Sequence, residues 1–219
     1  MSPRPATTRP GTGRSSTTRS ASPRATTLRE EAVWLRVAHR DWTDPLSADY
    51  ADEYGGRWNA PGDGPTLYLN ADEDTARAQI RRLLEGTPVD YEDLADDAPF
   101  VLVSAALPKR QRVADAGTDL GLVSLGLPTT YPRRPRGGEV SWAACRRAAH
   151  VVRTASLRGV LARSAALPFA VPAAPAGTEA RGTELAWFPA PRATATEVGR
   201  RRGFRQWRHP RASTSGSTT

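Results

Sequence analysis

Apolar positions fall in short runs separated by glycine, proline and acid. The run Ala32-Val33-Trp34-Leu35-Arg36-Val37-Ala38 predicts a strand, with Arg36 near its end. Residues 41–56 predict a long polar loop carrying Asp44, Asp49, Asp52 and Glu53, the kind of loop that serves as a lid or binding loop. Thr66-Leu67-Tyr68-Leu69 is strand-like. A helix follows over 71–85, capped by Asn70 with Glu73 completing a capping box, and Ala76, Gln79, Ile80, Leu83 and Leu84 share its apolar face. Gly86 and Pro88 end it. Residues 90–98 read as an acidic loop, 100–107 as the clearest strand, and 108–139 as an irregular Gly/Pro-rich stretch around Tyr131. Ser141 caps a second helix over 142–153, with Trp142, Cys145, Ala149 and Val152 on its apolar side. Residues 159–162 form a short strand ending at Ser164, and 184–188 form a last strand closed by Pro189 and Pro191. Short strands mixed irregularly with two helices predict an α+β fold built on a small mixed or antiparallel sheet.

Charge alters this picture at the two ends. Residues 1–29 and 199–219 each hold six arginines and no acid, so of the formal +8 the ends carry +12 and residues 30–198 carry −4. The basic character sits outside the predicted body, which argues against a domain built to track phosphates along a nucleic acid. Residues 1–27 have almost no apolar side chains and predict a disordered tail. The domain is expected over 28–198, and 199–219 as a mobile basic tail in which Phe204 and Trp207 dock locally. Nucleic-acid binding is expected only weakly, through these tails. The N-terminus, rich in Arg, Ser and Thr and free of acid, also reads as a transit peptide if the source is eukaryotic. Cys145 is the only cysteine, which fits a reducing, cytoplasmic compartment, and no apolar run is long enough to span a membrane.

Few chemistries survive the residue inventory. His39, His150 and His209 are scattered, so no metal site is expected. There is no phosphate-binding glycine fingerprint, and Ser164 lacks a nucleophile elbow. What stands out is Gly55-Gly56-Arg57-Trp58-Asn59-Ala60-Pro61-Gly62. Two glycines free the backbone before a cation, and Pro61 and Gly62 turn it again. Such a loop can fix Arg57 at a pocket mouth, with Tyr68 offering a ring face; it also reads as an ordinary turn between strands.

At this point the chain resembles the RES family. The match runs through Leu35-Arg36-Val37, the Gly55–Gly62 block, Thr66-Leu67-Tyr68-Leu69, and Thr75-Ala76-Arg77-Ala78-Gln79. It continues in Arg158-Gly159-Val160-Leu161-Ala162-Arg163-Ser164-Ala165 and Gly182-Thr183-Glu184-Leu185-Ala186-Trp187-Phe188. These blocks cover about residues 30–192, in order. The resemblance implies a small fold like that of ADP-ribosyltransferases. It also implies an enzyme, often a bacterial toxin of a toxin–antitoxin pair, that destroys NAD at its nicotinamide–ribose bond by phosphorolysis or hydrolysis. NAD would be the substrate, with no separate cofactor; inorganic phosphate, an antitoxin protein and a second copy in a homodimer are the implied partners. Arg36 and Arg57 would hold the pyrophosphate or phosphate, Tyr68 would stack on or border the nicotinamide riboside, Asn59 would be a further binding residue, and Ser164 would hydrogen-bond near the reacting ribose.

One position departs from the family. Its glutamate falls on Gln79, which keeps the hydrogen bonds and loses the charge. Either the chain is a catalytically weak RES-like binding module, or another acid, Asp72 or Glu53, takes over, or the helix register is displaced. With the register as aligned, Gln79→Glu is expected to raise NAD cleavage about ten-fold. Arg36, Arg57, Tyr68, Gln79 and Ser164 are expected to line one pocket.

Overall fold

A computed structural model of the chain describes residues 22–167 and 182–210. Their strands are β1 (Ala25–Thr27), β2 (Val33–His39), β3 (Leu67–Asn70), β4 (Phe100–Ala106), β5 (Arg112–Ala116), β6 (Gly159–Arg163), β7 (Thr183–Trp187), β8 (Thr196–Glu197) and β9 (Arg202–Gly203). The helices are α1 (Asp49–Tyr54), α2 (Glu73–Leu84), α3 (Asp119–Ser124) and α4 (Trp142–Thr154). All nine strands join one sheet in the order β1-β5-β6-β7-β3-β2-β4-β8, with β9 also on β4. Every pairing is antiparallel except β5 with β6. This is the α+β class that the residue pattern predicts.

Side chains alternate across the pleat, and the two faces are covered differently. On one face, Tyr68, Ala114, Val160, Ala162 and Ala186 pack under α4 and Trp58, while Leu35, Val37 and Leu102 pack under α2. On the other, Trp34, Leu67, Leu69, Ala105, Leu185 and Trp187 pack under loop residues such as Leu46, Ala48, Ala193 and Ala195. Helices thus cover one face and loops the other.

The two halves of the sheet meet at a single bridge. β3 pairs with β7 along its whole length and β2 with β4 along its whole length, but β2 and β3 touch only at Leu35 and Asn70. Past that bridge the strands part, and the sheet is forked between them. Residues 40–66 connect the two prongs.

Several expectations need correction. α1 lies inside the predicted polar loop, and β5 and α3 lie inside the stretch read as irregular. α3 contains Gly121, which propensity disfavours; a Cβ there would land 1.6 Å from the Asp115 carbonyl oxygen, so close approach to β5 demands glycine. Asp72, not Asn70, caps α2, accepting from the Thr75 amide at 2.7 Å. Trp142 opens α4 but is half-exposed instead of lying on its apolar side.

The domain is also wider than 28–198. β1 falls within the stretch 1–27 and pairs with β5. Phe204 and Trp207, at 1% and 0% exposure, complete the apolar cluster under α2, so residues 199–210 are part of the body. Four of their five arginines are matched by acids: Arg201 with Glu197, Arg202 with Glu73, and Arg205 and Arg208 with Asp96. Attraction between the acidic body and its basic end, both visible in the charge distribution, supplies a reason for this docking. Residues 1–21 and 211–219, the rest of the two expected tails, lie outside the described residues.

Candidate functional site

Asn70 stands at the crotch of the fork. Its amide nitrogen donates to the Leu35 carbonyl across the bridge (3.3 Å) and to Gln79 Oε1 on α2 (3.1 Å). Glu184 pairs with Asn70 from β7, and the Gln79 side chain favours the charged form of its carboxyl. Ser164 Oγ, fully buried, lies 3.4 Å from the Glu184 carboxylate, and the Ala165 backbone amide also favours its charged form. The result is a buried polar chain from Asn70 through Gln79 to Glu184 and Ser164. Burial pushes the Glu184 carboxyl up, against the pull of the Arg57 charge and of these hydrogen bonds.

Arg57 reaches this region from the glycine-rich loop. It is 8% exposed and donates to the Val140 carbonyl (3.3 Å) and to Glu139 Oε2 (3.0 Å). Arg82 grips both oxygens of the same Glu139, at 2.6 and 2.8 Å, and donates to the Ala165 carbonyl. Glu139, Arg82, Ala165 and Ala166 line a cavity of about 290 Å³. Burial would raise the Glu139 carboxyl, but the two arginines outweigh it and hold it below its usual value.

Tyr68 and Asn59 form a framework under the loop. Tyr68 Oη donates to Asn59 Oδ1 and accepts from the Trp58 amide, both at 2.8 Å, while the Asn59 amide donates to the Ala51 carbonyl. Gly56 crosses the ring so closely that a Cβ would sit 2.4 Å from Tyr68 Oη. Asn59 is therefore enclosed and committed, and any influence on a ligand passes through Tyr68.

Arg36 is elsewhere. It shares its face of the sheet with Trp34, whereas Tyr68, Asn70, Glu184 and Ser164 take the helix-covered face. The expected single pocket is divided: Arg57, Tyr68, Gln79 and Ser164 gather around Glu184, and Arg36 lies across the sheet. Yet Arg36 immediately follows Leu35, so both groups abut the Leu35–Asn70 bridge. Arg36 lines a cavity of about 370 Å³ with Asp41, Trp42, Asp44, Ser47 and Tyr50. Its guanidinium lies 5.8 Å from the Trp42 ring and has no hydrogen bond or close ion pair among the described residues. Burial lowers it to about 10, against the raising effect of Asp44.

Neither proposed substitute acid serves at Gln79. Asp72 is occupied capping α2 and holding the Gly182 amide, and Glu53 is exposed on α1. The acid that meets Gln79 is Glu184, which the sequence reading treated only as the start of a strand. Strand alternation could have placed it on the face of Ala186, but not opposite Asn70.

No family model matches the chain, and no curated protein matches it. Among solved structures, the fold is similar to that in the crystal structure of the M. tuberculosis MbcT–MbcA toxin–antitoxin complex. The TM-score is 0.54 at 19% identity, covering 80% of this chain and 85% of that one. The architecture is thus a mixed α+β fold similar to the one in that complex, and it agrees with the small α+β fold that the RES resemblance implies. Among the described residues no helix is long and apolar enough to cross a membrane.

Proposed function

We propose that the chain is a RES-type enzyme that cleaves NAD at the nicotinamide–ribose bond, working at the fork between β2 and β3. The observation that carries this reading is Arg36. It is a partly buried cation with no hydrogen-bonded counter-ion among the described residues, facing a 370 Å³ cavity walled by aromatic rings. An unpaired buried charge is costly unless a ligand compensates it. A pyrophosphate supplies two negative groups, and Trp42 and Tyr50 supply faces for a ring. On the other side of the bridge, Asn70 Oδ1 is a buried acceptor with no partner among the described residues, able to take a hydrogen bond from a ribose hydroxyl or a carboxamide.

In the reaction the bond between ribose C1′ and nicotinamide N1 breaks. Its electron pair leaves with the nicotinamide, which is thereby neutralised, so no general acid is required. The oxocarbenium-like ribose is captured by an oxygen of phosphate or of water, and water sheds its proton to solvent. The protein's tasks are to position the two halves of the dinucleotide, to exclude bulk water and to place negative charge near C1′. An antitoxin protein that covers the fork is the partner that the likeness to a toxin–antitoxin complex suggests.

The test is to incubate the purified chain with NAD, with and without phosphate, and to follow nicotinamide by chromatography. Release that depends on Arg36 is expected. NAD binding without release would replace this reading with that of a binding module, and neither binding nor release would overturn it.

A further inference from the structure

The family resemblance puts a glutamate where this chain has Gln79, yet the polar chain at the fork is not without a carboxylate. Glu184 is 8% exposed as the second residue of a fully buried strand, a costly place for an acid that serves no purpose. Its neighbours suit an anion: the Ser164 hydroxyl lies 3.4 Å from its carboxylate, and the Gln79 side chain, the Ala165 backbone amide and the Arg57 charge all favour its charged form. Asn70 holds the Gln79 oxygen at 3.1 Å, which leaves the Gln79 amide nitrogen free to serve that carboxylate. Ala165, next to Ser164, lines the 290 Å³ cavity.

We propose that Glu184, on β7, is the carboxylate that stabilises the positive charge developing on the ribose, with Gln79 converted from the charged residue into the one that orients it. The function has moved from the helix to the facing strand. This inference rests on the reading of the chain as an NAD-cleaving enzyme. The bond broken is C1′–N1, the electron pair leaves with nicotinamide, and the capturing oxygen comes from water or phosphate. Glu184 forms no covalent bond.

The arrangement reverses the expectation for Gln79→Glu. With Glu184 in place, that substitution sets two carboxylates in contact, and like charges at this range cannot both ionise. The single change should therefore not raise cleavage.

The experiment measures kcat, KM and the pH profile of nicotinamide release for the native chain, Glu184→Gln, Gln79→Glu and the exchanged pair Gln79→Glu/Glu184→Gln, with folding confirmed by thermal melting. Glu184→Gln is expected to lower kcat by about 10²–10³-fold, with KM changed far less. The exchanged pair should recover at least about ten-fold of that loss. The groups acting on Glu184 are Arg57, Gln79, Ser164 and the Ala165 amide. Tyr68, Tyr131 and Cys145 face the same region and are themselves pushed up by burial, so they stay neutral. The native kcat should hence rise with the ionisation of one carboxyl, at a pH above the ordinary glutamate range, and Glu184→Gln should remove that limb. A folded Glu184→Gln with native kcat overturns the inference while leaving the proposed function intact. A native chain that releases no nicotinamide overturns both. If Glu184→Gln fails to fold, a folded exchanged pair with no activity, or Gln79→Glu more active than native, overturns it.

Discussion

Arg36 and Arg57 are the same side chain in two opposite settings. Arg57 is matched: Glu139 and the Val140 carbonyl take its donors, and although burial alone would lower it, Tyr131 and Glu139 together raise its affinity for the proton. Arg36 has a ring beneath it, the more distant Asp44 charge and an open cavity, and burial leaves it at about 10. A satisfied buried arginine ties structure together. An unsatisfied one stores an unmet demand for an anion, so the two should respond in opposite ways to the same substitution.

The largest expected effect is on Arg36. Arg36→Ala should lower nicotinamide release by about 100-fold or more, while the melting temperature does not fall, because a partly buried charge without a close counter-ion has been removed. A large loss of stability with activity per folded molecule intact would reverse the assignment.

Arg57→Ala should do the reverse first. It leaves the Val140 carbonyl and part of Glu139 without donors, at a cost of about 1–3 kcal/mol, which a thermal melt reads as a drop of several degrees. An unchanged melting temperature would show that Arg57 is as free as Arg36.

Glu184 sharpens the comparison through pH. Its carboxyl is raised in the folded state, so the stability linked to it is fully present below its unfolded value of 4.5 and is lost as pH rises through the folded value. The melting temperature of Glu184→Gln should therefore gain on the native chain as pH climbs from 4.5. A constant gap across that range would mean that Glu184 is not raised. The smallest effect is at Trp42, whose ring lies beside Arg36. Trp42→Ala should raise KM for NAD by about two- to five-fold with kcat unchanged, and an unaltered KM would remove the ring from the binding surface.

Sequence patterning made much of this molecule legible, where local chemistry and tertiary structure agree. Ser141 caps α4 as expected, accepting from the Ala144 amide, and the strands around Arg36, Tyr68 and Ser164 appear close to their expected positions. It failed where a tertiary contact overrides a local signal. Asn70 and Glu73 look like a helix start, but Asn70 is drawn off by the Leu35 carbonyl and Gln79, leaving Asp72 to cap. The basic end looks like a tail, but Trp207 and Phe204 bury themselves and Arg77 holds the Trp207 carbonyl at 2.7 Å. The Glu184 site was hidden for the same reason: strand order β7-β3-β2 puts Glu184 beside Asn70, and no local spacing encodes that order.

The central claim is that one dinucleotide is held across the fork, its pyrophosphate on Arg36 and its nicotinamide riboside toward Glu184. A crystal structure of Glu184→Gln with NAD tests it most directly. The account predicts pyrophosphate oxygens within hydrogen-bond distance of the Arg36 guanidinium, and the nicotinamide ribose within reach of Ser164 and position 184. NAD seated away from the Leu35–Asn70 bridge, or held by Arg57 with Arg36 untouched, would contradict it.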